Sequence, residues 1–133
     1  MDEYINASLV LTTEENYIKL ITDRLGISPT QTRDKNDFKI REFACFEWVY
    51  STGNMKVRSV TEAVAPILNL FGGKRQDIRS LLEETGGKCD IVIVISAISG
   101  DGPEVVLEKD IISFSNDIQA EIGFDLYYYD GDE

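Results

Sequence analysis

Histidine is absent from the 133 residues. With it go the usual neutral-pH general base and the commonest metal ligand, so serine or cysteine hydrolase chemistry loses its simplest relay. Cysteine is scarce. Cys45 and Cys89 are the only two, both in apolar stretches without a Cys-x-x-Cys spacing, and they read as structural thiols rather than nucleophiles. A bridge between them would need Cα atoms within roughly 7 Å, and a single bridge is no disulfide framework. Long apolar runs are missing too: Ile91 to Ile98 is only strand length, far from the roughly eighteen apolar residues a membrane span needs. Met1-Asp2-Glu3-Tyr4 has neither the positive region nor the apolar run of a secretory signal, so a cytoplasmic protein is expected.

Positive charge is also in short supply. Thirteen Lys and Arg stand against 24 Asp and Glu, a net charge of -11. Such a surface repels phosphate backbones and attracts a basic partner. The cations Lys35, Lys39, Arg41, Lys56 and Arg58 are interleaved with Asp34, Asp37 and Glu42, which does not build the field of a nucleic-acid binder. Neither nucleic acid nor membrane is an expected partner.

What is present is a foldable core. The chain is 43% hydrophobic, and at this length a single domain spanning 1–133 buries about two thirds of its unfolded surface. Asn6 to Leu11 is a β-prone apolar run, and Thr12 three residues before Glu15 suggests a capping box that hands the strand to a helix. Tyr17, Ile18, Ile21 and Leu25 form that helix's apolar stripe, closed by Gly26. Ile27-Ser28-Pro29 leaves in extended form, and Thr30 to Lys39 reads as a polar loop. Ile40 to Tyr50 has a two-residue period and predicts a second strand.

Ser59 with Glu62 is a second capping box, before Ala63, Val64, Ile67, Leu68 and Phe71. Pro66 sits deep enough there to predict a kink or a split, and Gly72-Gly73 is the expected stop. Arg75 to Thr85 is a further helix, stopped at Gly86-Gly87. Cys89 to Ala97 is apolar on both faces for most of its length and predicts a central strand. Ser99 to Pro103 is a turn, Glu104 to Leu107 is short and extended, and Lys109 to Ile118 is a last helix. In Ala120 to Tyr129, Ala120, Ile122, Phe124, Leu126 and Tyr128 predict a core face. Asp125, Tyr127 and Tyr129 lie on the opposite, polar-aromatic face. This order predicts an α+β fold: a two-layer sandwich of ferredoxin-like kind, two β-α-β units with an extra helical pair between them, its sheet antiparallel or mixed.

The chain resembles the DUF4279 family of small bacterial domains. The likeness is carried by Leu25-Gly26-Ile27-Ser28-Pro29 after the first helix, Trp48 in the second strand, the helix from Ser59 to Phe71, and the closing Ile122-Gly123-Phe124-Asp125-Leu126-Tyr127. The resemblance implies no catalytic set. Some members look like immunity or antitoxin proteins through their association with polymorphic toxins, so it implies a toxin-binding role. The acidic end after Tyr129 and the shortened approach from Arg41 to Trp48 depart from many members and suggest a partner surface of its own.

Other chemistries are weakly supported. Gly72-Gly73-Lys74 lacks the spacing and preceding strand of a phosphate loop. Asp125, Asp130, Asp132 and Glu133 lack the ligand ladder of a calcium loop, so a frayed acidic terminus is expected there rather than a metal site. Glu83 and Glu84 are adjacent on a helix and do not face each other across a substrate. Trp48 is either core or, with Tyr50, an interface anchor. Tyr127 and Tyr129 beside carboxylates have the makeup of a recognition surface.

The leading expectation is therefore a non-enzymatic protein-binding module without cofactor or metal. Trp48, Asp125, Tyr127, Tyr129, Asp130 and Asp132 are its candidate partner-binding residues. Its expected partner is a basic protein toxin such as a nuclease, with homodimerisation as another use of the same face. Alternatives are a small-ligand-binding or sensing domain, with a pocket between the open sheet face and Thr30 to Lys39, and a carboxylate-metal hydrolase.

Overall fold

Side chains alternate between two faces of a strand, and this alternation is seen most clearly in β1 (Tyr4–Thr13). Ile5, Ala7, Leu9, Leu11 and Thr13 are buried while their neighbours are half-exposed. The computed structural model describes residues 3–131. After β1 come α1 (Ile18–Leu25), β2 (Gln31–Arg33), β3 (Phe46–Ser51), α2 (Val60–Phe71), α3 (Arg75–Thr85), β4 (Lys88–Ile98), α4 (Lys109–Asp117) and β5 (Glu121–Tyr129). Among the described residues no helix is long and apolar enough to cross a membrane.

The five strands form one mixed sheet in the order β2-β3-β1-β4-β5. β2–β3, β3–β1 and β1–β4 are antiparallel, and β4–β5 is parallel. The architecture is α+β with a mixed sheet, but the expected first β-α-β unit, running from β1 through α1 to the strand at Phe46–Ser51, is corrected. β3 does not follow α1 as a parallel neighbour of β1. β2, antiparallel to β3, is the strand that runs parallel to β1, and β3 is inserted between them. The first β-α-β unit is thus split, and only β4-α4-β5 joins adjacent parallel strands.

The polar segment expected to be a loop hides this missing strand. β2 is three residues long and lies at a sheet edge where its side chains are largely exposed, so no apolar period marks it. The segment before β3 is corrected as well: Arg41–Phe43 is a single 3-10 turn, with Ile40 and Phe43 exposed.

The caps divide in the same way. Ser59 Oγ accepts from the Glu62 amide at 3.1 Å and starts α2 as expected. Thr12, by contrast, is part of β1, and α1 begins only at Ile18 with no side-chain cap. The strand's alternation runs on to buried Thr13, whose hydroxyl donates to the Glu15 carbonyl at 2.7 Å.

α2 passes through Pro66 unbroken, so no split occurs. The carbonyl that Pro66 leaves without its helical donor belongs to Glu62, an exposed residue open to water. Gly72 stays right-handed and leads through one 3-10 turn, Gly72–Lys74, directly into α3. Gly26 and Gly86 do adopt the left-handed closing conformation, at φ 67° and 68°.

All four helices contribute to one hydrophobic cluster on one side of the sheet. Ile21, Leu25, Ile67, Phe71, Leu81 and Phe114 pack there with the buried rows of β1, β3 and β4. Among the described residues the reverse side carries no α-helix. Val10, Val49, Val92 and Val94 lie on it half-buried, beside Asn6, Ser8 and Asp90.

Candidate partner-binding surface

β5 extends as expected, but its core face is not in the core. Its register sets Ile122, Phe124, Leu126 and Tyr128 beside Ile91, Ile93, Ile95 and Ala97, in phase with the helix-covered row of β4. Phe124, Leu126 and Tyr128 are nevertheless exposed, Leu126 by 54%. The reason lies in α4. Its end is tied to the start of β5, where the Ala120 amide donates to the Ser115 carbonyl at 2.9 Å and the Ser115 hydroxyl donates to the Ala120 carbonyl at 2.7 Å. Helical cover therefore reaches half-buried Ile122 and stops short of the rest.

The opposite side of β5 carries Glu121, Gly123, Asp125, Tyr127 and Tyr129, in register with Asp90, Val92, Val94, Ser96 and Ile98. Asp125, Tyr127 and Tyr129 thus share an exposed face, as the two-residue period predicts, and Asp130 follows at the strand's end. Asp132 lies outside the described residues.

Trp48 does not belong to this surface. It is 0% exposed, meets Phe71 edge-on at 6.1 Å, and donates from Nε1 to the Thr22 hydroxyl at 3.0 Å. A large aromatic whose polar tip is satisfied internally is a core residue, which corrects its assignment as a partner anchor. Tyr50 packs on the same Phe71 ring at 5.4 Å.

The charge around β5 is negative, with Lys88 the cation near its start. Among the described residues, no ion pair reaches Glu121, Asp125 or Asp130. Arg75 is held by Asp117 at 2.7 Å, and Arg58 by Glu3 at 3.6 Å and Asp101 at 3.4 Å. On the open face, Val10, Thr12, Glu47, Asp90, Val92, Glu121 and Gly123 border a shallow hollow of about 330 Å³. Burial raises the Asp90 carboxyl above its ordinary pKa, and Glu121 adds to the rise against the opposing pull of Lys88. Gly123 contributes to this hollow by having no side chain: a Cβ built there meets nothing within 4 Å.

Among the other concavities are two that bear on ligand binding. One, of about 340 Å³, lies between α2 and α4 and includes Leu68, Arg75, Glu108 and Asp110. The other, of about 640 Å³, is lined by Lys35, Asn36, Phe38, Lys39, Arg41 and Ala44, within the segment before β3 rather than against the open sheet face. Both cysteines are free. Burial, and secondarily Asp90, pushes the Cys89 thiol up to about 12, and burial also raises Cys45. Among the described residues, no three Cys, Asp or Glu side chains are grouped to hold a metal ion.

Residue identity alone did not single out Phe124, Leu126 and Tyr128 as surface. Their two-residue period was visible, but a period says which residues share a face and not whether anything covers that face.

The chain belongs to the DUF4279 family, described as a domain of unknown function, and the match spans residues 2–129. No curated protein and no solved structure matches it.

Proposed function

We propose that this DUF4279 domain is a non-enzymatic protein-binding module, most concretely an immunity-type protein that neutralises a basic toxin such as a nuclease and acts in the cytoplasm. The observation that carries the reading is β5, a nine-residue strand whose aromatic and aliphatic side chains are exposed on both faces beside unpaired carboxylates. Rigid aromatic area supplies the desolvated centre of an interface, while surrounding charge sets orientation and association rate. The mechanism is occlusion: Asp125, Asp130 and Glu121 meet cationic substrate-binding residues of the toxin, and Tyr127 and Tyr129 exclude water from the contact.

A small-ligand domain is the second reading, and the hollow between α2 and α4 is its site. Its arginine, Arg75, is already held by Asp117, which favours the first reading.

The test is binding kinetics against the protein encoded beside this gene, across a salt series. Asp125→Lys with Asp130→Lys slows association, more at low salt than at high salt, and Tyr127→Ala mainly speeds dissociation. Unchanged rates in folded variants remove β5 from the interface. Failure of the wild-type chain to bind at micromolar concentration discards this partnership.

A further inference from the structure

The direction of the free backbone groups on β5 follows from one hydrogen bond. The Ser99 amide donates to the Tyr129 carbonyl at 2.7 Å. In a parallel pair, a residue whose carbonyl faces the neighbouring strand also turns its amide there, and the next residue turns both away. Tyr129, Tyr127, Asp125 and Gly123 therefore bond to β4. The amides and carbonyls of Ile122, Phe124, Leu126 and Tyr128 point to the outer edge, where the sheet ends.

Proteins usually protect such an edge with lysine, proline, a bulge or a very short strand. β5 has no lysine and no proline, and it runs for nine residues. What it has is carboxylate: Asp125 and Glu121 along one face, with Asp90 and Glu47 behind them on the open side. A net charge of -11 on each copy opposes pairing of two β5 edges, and the same charge attracts a cationic strand.

We infer that β5 captures its partner by strand addition: an extended segment of the partner becomes a sixth strand along the outer edge, alternating apolar and basic residues. Its apolar side chains lie over Phe124, Leu126 and Tyr128, and its lysines or arginines face Glu121 and Asp125. An antiparallel added strand sets apolar residues in hydrogen-bonded pairs with Phe124 and Leu126. Its basic residues then fall in the closer, non-hydrogen-bonded pairs, directly opposite Asp125. This inference rests on the proposed protein-binding role and specifies how that binding is made. Gly123 leaves room on the open face for a long basic side chain.

The experiment uses the full chain and a terminally blocked peptide alternating lysine and valine over the length of β5, with binding and amide hydrogen exchange as readouts. The alternating peptide is expected to bind about tenfold or more tightly than a peptide of the same composition with its lysines and valines in separate blocks. Exchange at Ile122, Phe124, Leu126 and Tyr128 should slow by about tenfold or more, with little change at Gly123, Asp125 and Tyr127. N-methylation of the valine amides should abolish binding, and N-methylation of the lysine amides should spare it.

Gly123→Val, whose Cβ meets nothing within 4 Å, should keep the native melting transition and weaken the peptide. Equal tolerance of the two N-methylated peptides overturns strand addition. So does peptide binding that is lost in Asp125→Lys yet protects no outer-edge amide, and that result leaves the acidic-aromatic surface standing as a contact site. Protection that appears without peptide as protein concentration rises also overturns the proposal, because the edge is then filled by a second copy.

Discussion

The two edges of the sheet are finished in opposite ways. The β2 edge is short and covered by its own side chains. Arg33 lies 3.8 Å over the Phe38 ring and 4.0 Å from Glu47, Lys35 is 5.8 Å from the Phe46 ring, and Asp34 with Asp37 closes a reciprocal capping box around the next turn. Behind it Trp48 fills the core. The β5 edge is three times as long, has no cation, and leaves apolar side chains in water. A short edge whose cations rest on aromatic rings offers little to an incoming strand, whereas a long edge with exposed rings offers a template. β3, with three aromatics beside the β2 edge, and β5, with four, thus have different roles, and helical cover is what separates them.

The comparison breaks most visibly if stability does not follow it. Trp48→Ala behind the β2 edge should cost about 3–5 kcal/mol in urea unfolding. Tyr127→Ala at the β5 edge should change stability by no more than about 0.5 kcal/mol. Equal losses would mean that β5 is packed in solution.

A smaller effect tests the assignment of backbone direction. Asp125 uses its amide on β4, while the Leu126 amide points outward, so Asp125→Pro should destabilise by roughly 1–3 kcal/mol more than Leu126→Pro. The two variants compared by thermal melting give the answer, and the reverse order would turn the free groups to the odd-numbered residues.

The smallest effect concerns pH. Asp90 has a folded pKa raised by burial and by Glu121, so its ionised form is the disfavoured one in the folded state. Its cost is absent below the ordinary aspartate range, grows as pH rises through the folded pKa, and is fully present at neutral pH. Asp90→Asn should therefore raise the urea midpoint slightly at pH 7, with the gain fading in acid. A gain that persists at low pH would assign the effect to packing.

Much of this was legible along the chain because it is local. Ser59 announces α2 through a hydrogen bond three residues away, Gly26 and Gly86 close helices by their own backbone freedom, and Ile91 to Ala97 is too apolar for anything but the interior. Asp125, Tyr127 and Tyr129 share a face because a strand has a period of two. β2 was not legible, since three exposed residues carry no burial signal. Nor was the fate of Trp48, an aromatic equally suited to a core or an interface until Phe71 and Thr22 are brought beside it.

The sequence by itself determined most of the elements, the faces of their residues and the excess of negative charge, because propensity, capping and periodicity act over a few residues. Only the tertiary structure decided which face met a helix, which strand lay at an edge, and which backbone groups were left free. Those depend on strand order and on how far α4 reaches. β5 carries a core-like row of Phe124, Leu126 and Tyr128, and it is exposed because the chain supplies no further element to cover it among the described residues.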